Sequence, residues 1–403
     1  MASAPLTHFE EDSSAAGSRS DPWSKASSLA PAPLPSSLST HVAHQNAPTS
    51  DWRDTSHVLA VSPAVVANGS QSHKAIPPPS SLSVAVAPTL WMTRRWLLWL
   101  AALRPKTLTA SVAPVLVGTA LSAFLGGELD VPLVLTLTLP AFILVQIGTN
   151  LVNDAVDYTR GADTEERKGP RRLTQTGVVS PSVVHATGVA CFALALMLMI
   201  PVFYRRGWLL AATLLVSCAA GYAYTGGPYP LAYHALGDVT VVLFFGVVCV
   251  SVIRHVHDGK ALYDAPSTLA GLQVGVLAAT LLVINNLRDS DTDRACGKRT
   301  LVVVVGQRGG KHEVVIATAA AYLLGALWWL CYPQRGAAAA LAPLLTLPLS
   351  ISLLRDVMRT PDSPSLAAGE VYTALLARAA GVHLVFSACL SFGLLFGARA
   401  VTV

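Results

Sequence analysis

Polar and apolar positions in this chain follow two regimes. Up to about residue 90, serine, alanine and proline mix without period, as in LAPAPLPSSLS and AIPPPSSLSVAVAP. Such a segment buries too little apolar surface to offset its ordering entropy, so residues 1–92 are expected to form a disordered tail. From Trp91 onward, long apolar runs alternate with short polar connections. Runs near the roughly 20 residues needed to span hydrocarbon lie at 107–125, 131–152, 182–203, 207–224, 236–253, 266–287, 313–332, 337–354 and 380–398. In lipid the backbone must satisfy its own hydrogen bonds, so these runs predict helices. The expected fold is all-α, with a polytopic membrane bundle of about nine transmembrane helices over residues 93–403.

Composition sharpens this. Of 403 residues, 52% are hydrophobic and 13% charged, about half the charge of an average soluble domain. The net charge of +5 is mild. No basic run is long enough for nucleic acid, and the expected surrounding is the lipid bilayer. Basic residues gather in alternate loops: Arg94, Arg95, Arg104 and Lys106 before the first run, Arg160, Arg167, Lys168, Arg171 and Arg172 after the second, and Arg288, Arg294, Lys298 and Arg299 after the sixth. By the positive-inside rule these loops and the N-terminus face the cytosol. A bacterial inner membrane and a eukaryotic organelle or endomembrane both fit. The six cysteines include no CxxC pair and read as small apolar fillers. The Asn68-Gly69-Ser70 sequon reads as a chance match.

Two polar stripes interrupt the apolar pattern. Asn150, Asp154 and Asp157 fall at i, i+4 and i+7, on one helical face. Asn285, Asp289 and Asp293 fall at i, i+4 and i+8, with Asn286 close by. Both stripes end even-numbered runs on the cytosolic side. Aspartate suits a helix C-terminus poorly, because the macrodipole there is negative. Four carboxylates also need counter-charge. An oxygen-only Asp and Asn set suits Mg²⁺, which binds carboxylates together with substrate phosphates. Asp154, Asp157, Asp289 and Asp293 are therefore the expected metal ligands, with Asp163 as a further candidate. Asn150, Asn153, Asn285 and Asn286 would orient metal or phosphate. Lys298, Arg299, Arg160 and Lys168 would take the remaining phosphate oxygens, although the positive-inside rule alone accounts for most basic positions. A diphosphate head in water with an oily tail in the membrane describes a polyprenyl diphosphate. Tyr224 could shield a cation with its ring. His234 and Asp238, at i, i+4, are expected to hydrogen-bond.

Four stretches together resemble the UbiA superfamily of intramembrane aromatic prenyltransferases: AALRPKTLTASVAPVLVGTAL (101–121), NLVNDAVDYTRGADTEERKGPRRLTQTG (150–177), AYTGGPYPLAYHALGD (223–238) and NNLRDSDTDRACGKRTLVVVVG (285–306). Within it the similarity is closest to the 1,4-dihydroxy-2-naphthoate polyprenyltransferases of menaquinone biosynthesis. The resemblance implies nine helices around a central cavity capped by two aspartate-rich motifs. It implies Mg²⁺-dependent transfer of a polyprenyl group from its diphosphate to an aromatic acceptor, here dihydroxynaphthoate, with loss of CO₂ to give demethylmenaquinol. Menadiol, 4-hydroxybenzoate and homogentisate are alternative acceptors. The resemblance also gives Arg104 a role with acceptor or diphosphate. Many relatives carry a third acid at the position of Gly161; here the acid is Asp163, a spacing similar to the dihydroxynaphthoate branch. A membrane cation transporter is the distant alternative. It predicts acids near mid-membrane rather than at helix ends beside lysine and arginine.

Overall fold

The computed structural model describes residues 96–399, except 165–166 and 363–365. The expected tail and the Asn68 sequon lie outside the described residues. Those described are almost wholly helical, with one isolated bridge between His234 and Arg299. The principal helices are α1 (Thr109–Phe124), α2 (Val131–Thr159), α3 (Pro181–Leu198), α4 (Trp208–Ala223), α5 (Gly237–Asp258), α6 (Ala265–Ala295), α7 (Leu301–Cys331), α8 (Ala337–Arg359) and α9 (Leu366–Arg399).

Each predicted run falls on one of these helices. Among the described residues, seven are long and apolar enough to cross a membrane, so this is an integral multi-pass membrane protein. α1 and α4 are apolar but have 16 residues each, roughly 24 Å of helix against a hydrocarbon core of about 30 Å. Seven of the nine predicted runs thus meet the length for a crossing, and α1 and α4 are the two shorter apolar helices.

Helix ends differ from the hydropathy boundaries in a consequential way. α2 continues to Thr159 and α6 to Ala295, carrying both polar stripes as helix. α7 starts at Leu301, well before the predicted 313, and breaks at Gly306 (φ 78°, ψ 171°). That positive φ is open to glycine at little cost.

α6 is the central helix. It packs against α1, α5, α7 and α9, and 72% of its most apolar window is buried, against 22% for α3. Its contact with α5 is backbone on backbone. A Cβ at Gly246 would lie 2.3 Å from the Gly271 carbonyl oxygen, and one at Gly275 would lie 2.4 Å from that of Val242. Small residues permit this approach, which replaces the hydrophobic drive absent in lipid. One polar pair links the helices inside the bundle: Trp328 Nε1 donates to Gln273 Oε1 at 2.6 Å, and Gln273 Nε2 to the Ala321 carbonyl at 2.9 Å. Large side chains such as Leu323, Trp329 and Leu345 point outward, as a lipid-facing surface requires.

Candidate active site

The last turns of α2 and α6 bring the two stripes to one mouth. Asp154, Asp157, Asp289 and Asp293 are all buried there, with Asp163 from the loop after α2. Each carboxylate meets cations. Asp154 Oδ1 accepts from both Arg104 and Arg172. Arg167 donates to Asp163 and lies 3.3 Å from Asp289, so it spans the two stripes. Arg288 forks onto both oxygens of Asp289 at 2.8 Å each and reaches Asn285 Oδ1 at 2.7 Å. Lys298 spans the stripes a second time, 3.1 Å from Asp157 and 3.6 Å from Asp293. The Tyr233 hydroxyl donates to Asp157 Oδ1 at 2.9 Å.

Five acids therefore face five cations of the chain itself: Arg104, Arg167, Arg172, Arg288 and Lys298. The chain's own cations thus supply counter-charge at the site where a metal is expected. Loops far apart in sequence fold back over the mouth and neutralise it. Burial alone would pull the Lys298 ammonium down, yet Asp157 and Asp293 hold its pKa well above the usual lysine value. Burial likewise opposes the charge on Arg167, and Asp289 and Asp163 outweigh it, raising its pKa. Burial pushes the Asp163 carboxyl above its ordinary range against the pull of Arg167.

Local structure sets several of these groups. Arg104 adopts a left-handed backbone (φ 51°, ψ 59°) just before Pro105, a strain of order 1–3 kcal/mol for a non-glycine residue. Its carbonyl accepts from Thr107 Oγ1 at 3.0 Å, and the Thr107 carbonyl accepts from Gln146 Nε2 at 2.7 Å. Ser111 in turn donates to Gln146 Oε1. Behind Asp154, Thr174 Oγ1 donates to its carbonyl at 3.0 Å, while Gln175 Nε2 holds the Thr164 carbonyl at 2.7 Å.

Beneath the mouth lies a cavity of about 220 Å³. Its upper wall is polar: Arg104, Asn150, Asn153, Arg167, Arg172, Asn285, Asn286, Asp289 and Lys298 line it. Its interior is apolar, with Phe142, Met199, Leu210, Phe244, Phe245 and Val252, and the Tyr224 ring on one side. Some polar oxygens nearby accept no hydrogen bond, although Asp163 Oδ2 faces Arg172 Nε at 3.7 Å. Asp293 Oδ2, Asp163 Oδ2 and Asn153 Oδ1 are buried without a hydrogen-bond partner. Among the described residues no three His, Cys, Asp or Glu side chains form a metal-binding group on their own.

Of the residues expected from sequence, Arg104, Asn150, Asn153, Tyr224, Asn285, Asn286, Asp289 and Lys298 line the cavity, and Asp154, Asp157 and Asp293 pair with cations at its mouth. Three belong to neither group. Arg160 donates to the Gly227 carbonyl at 3.1 Å and sits over the Tyr233 ring. Lys168 pairs with Asp291 at 2.7 Å. Arg299 is exposed beside His234. The expected His234–Asp238 bond does not form. Residues 231–233 make a tight turn and α5 starts only at Gly237, so i, i+4 spacing brings nothing together. His234 instead lies 2.8 Å from the Pro230 carbonyl and stacks on Tyr229, and Asp238 Oδ1 has no partner. Sequence reasoning missed Arg167, Arg288, Tyr233 and Gln146 as site residues, and placed Arg172 only among the basic residues that follow Asp157. Arg288, adjacent to Asp289, carried a local signal; Arg167 and Arg172 were hidden by the positive-inside rule.

Fold and site define a class: a multi-pass helical membrane protein with a charge-paired mouth above an apolar cavity. Residues 111–375 match the UbiA prenyltransferase family, and the chain belongs to that family. It is an aromatic prenyltransferase. The 1,4-dihydroxy-2-naphthoate octaprenyltransferase of Escherichia coli (strain K12) is 35% identical over 287 residues, covering 66% of this chain and 86% of that protein. That of Bacillus subtilis (strain 168) is 33% identical over 220 residues, covering 55% and 70%. A UbiA homolog from Archaeoglobus fulgidus bound to GPP and Mg²⁺ has the same fold at a TM-score of 0.50 and 17% identity, covering 73% of this chain and 99% of that one.

Proposed function

We propose that the protein transfers a polyprenyl group from polyprenyl diphosphate to 1,4-dihydroxy-2-naphthoate with loss of CO₂, giving demethylmenaquinol. The observation that carries this reading is the meeting of two aspartate–asparagine stripes and their bridging cations directly above an apolar cavity. An amphiphile with a diphosphate head and a hydrocarbon tail matches both halves. The acceptor follows the names of the relatives.

The donor set fits Mg²⁺. The Asp293 carboxylate oxygen and the Asn153 oxygen without hydrogen-bond partners, and the Asp163 oxygen that faces Arg172 Nε at 3.7 Å, are hard ligands beside the mouth. Asp154, Asp157, Asp289 and Asp293 would hold the ion, with Asp163 beside them. When bound, it would neutralise charge on the departing diphosphate. Lys298 and Arg167, which sit between the stripes, donate to phosphate oxygens. The prenyl C1–O bond breaks and diphosphate leaves with the electron pair. The carboxyl-bearing ring carbon gives a pair to C1, and its bond to CO₂ then breaks, returning electrons to the ring. No protein nucleophile is required, so the chain's contribution is positioning and electrostatics. The Tyr224 face shields the allylic cation. The basic loops put this mouth on the cytosolic side. The transferase unit is residues 93–403.

The test uses purified membranes with Mg²⁺, a long-chain prenyl diphosphate and, separately, dihydroxynaphthoate, menadiol, 4-hydroxybenzoate and homogentisate. Prenylated naphthoquinol with CO₂ release, abolished by EDTA, is expected. Product from another ring alone overturns the acceptor, and full activity in EDTA overturns the metal.

A further inference from the structure

The α6 stripe is also held from behind, on the side away from the mouth. α7 breaks at Gly306, and Gln307 follows the break. Its amide turns towards α6. Gln307 Nε2 donates to the Leu287 carbonyl at 2.9 Å and to Ser290 Oγ at 2.6 Å. Ser290 Oγ donates to the same carbonyl at 3.3 Å. From α9, the Tyr372 hydroxyl donates to Gln307 Oε1 at 3.4 Å. Ser290 and Tyr372 are each 3% exposed. One side-chain amide thus joins α6, α7 and α9 at the helical turn that carries Asn286 and Asp289. Glycine lets α7 come this near: a Cβ at Gly310 would lie 2.9 Å from Leu287 Cδ2. The turn needs such support, because Asp289 and Asp293 are like charges at i, i+4 and repel.

We propose that Gln307, oriented by Tyr372 and seated on Ser290, is a positioning residue for the second stripe. It holds Asp289 and Asp293 at the spacing from α2 that lets Arg167 and Lys298 span the mouth. It thereby sets how tightly the mouth takes Mg²⁺ and the diphosphate head. Gln307 acts through α6 and does not line the cavity. Its leverage is geometric: a supporting side chain that lets ligands drift by about 1 Å can cost about 10²-fold. The α2 stripe has a different support, since Thr174 Oγ1 from the following loop holds the Asp154 carbonyl. The inference rests on the proposed reading of the mouth as a Mg²⁺-diphosphate site.

The test compares full-length wild type with Gln307→Met, Gln307→Glu, Tyr372→Phe and Tyr322→Phe, each purified in detergent. One readout is the rise in unfolding temperature on adding Mg²⁺ with a prenyl thiolodiphosphate, a donor analogue that does not turn over. The other is kinetic: the Mg²⁺ concentration for half-activity and the KM of each substrate. Gln307→Met keeps the volume and loses the hydrogen bonds. It is expected to raise the Mg²⁺ requirement and the prenyl diphosphate KM about tenfold, to leave the acceptor KM within about twofold, and to shrink the ligand-induced rise. Gln307→Glu keeps the acceptor for Tyr372 but has no amide donor, so it matches that loss. Tyr372→Phe moves the same quantities about threefold. Tyr322→Phe is the control. It removes hydroxyl contacts to Thr346 and Ser350 deeper along α7, so it lowers the unfolding temperature and leaves both KM values and the ligand-induced rise unchanged. If Gln307→Met behaves like this control, Gln307 is a structural bond only and the proposal is overturned. A rise confined to the acceptor KM overturns it too. If Gln307→Met does not accumulate, Gln307→Glu and Tyr372→Phe decide. Should wild type stay fully active in EDTA, the metal reading fails, and the prenyl diphosphate KM alone judges the brace: equal values in wild type and Gln307→Met overturn it.

Discussion

The two stripes look alike in sequence and differ in where their counter-charge comes from. In the α6 stripe, Asp289 is neutralised by its chain neighbour Arg288, whose guanidinium forks onto both oxygens; the side chains are 3% and 5% exposed. In the α2 stripe, nothing local serves. Asp154 draws on Arg104, which precedes α1, and on Arg172 from the following loop, while Asp157 draws on Lys298 from beyond α6. An unpaired buried charge costs several kcal/mol. The α6 stripe carries part of its compensation within one helical turn, whereas the α2 stripe gains its own only when distant segments arrive. Equivalent spacing therefore does not mean equivalent environment. Asp154 carries two arginines on one oxygen, and Asp293 retains an oxygen without a hydrogen-bond partner.

That contrast can be broken or sharpened by mutation. The largest effect is expected at Asp293→Asn, which removes an open carboxylate and should lower turnover by about 10²- to 10³-fold. Asp154→Asn should cost clearly less, because its oxygen already serves arginine. Product formation at saturating Mg²⁺ measures both, and equal losses would break the comparison. Stability should separate the stripes next. Arg288→Met leaves the buried Asp289 carboxylate to Arg167 alone and should cost about 3 kcal/mol. Arg104→Met, at a side chain 25% exposed, should cost about 1 kcal/mol or less; thermal unfolding in detergent reads the difference. Tyr233→Phe deletes one hydrogen bond to Asp157 and should reduce turnover about tenfold, since bonds to charged groups carry roughly 1.5–3 kcal/mol. An unchanged rate would show that Lys298 alone holds Asp157. The smallest effect belongs to Lys168→Ala. Its partner Asp291 is 46% exposed, so stability should move by less than about 1 kcal/mol, and prenyl diphosphate KM should stay unchanged. A large rise in that KM would return Lys168 to the phosphate site.

Much of this was readable along the chain. Apolar runs located every principal helix, because a membrane span is a local property of length and hydropathy. The stripes were readable because helical periodicity is local too: Asn150, Asp154 and Asp157 had to share a face once α2 was helical. Four blocks in order, from 101–121 to 285–306, pointed to the family that residues 111–375 match. Helix ends were less legible. Hydropathy falls where polar residues begin, so the windows stopped before the carboxylates although α2 and α6 continue through them.

The sequence by itself determined the membrane class, the helix order and the residue types at the mouth, all consequences of short-range pattern. Only the tertiary structure decided which cation meets which acid. Arg104 and Asp154 stand 50 positions apart, Arg167 and Asp289 122, and Lys298 and Asp157 141. No periodicity links such positions. They come together because buried carboxylates must find partners in a medium without water, and the partners they find are set by how the helices pack around α6.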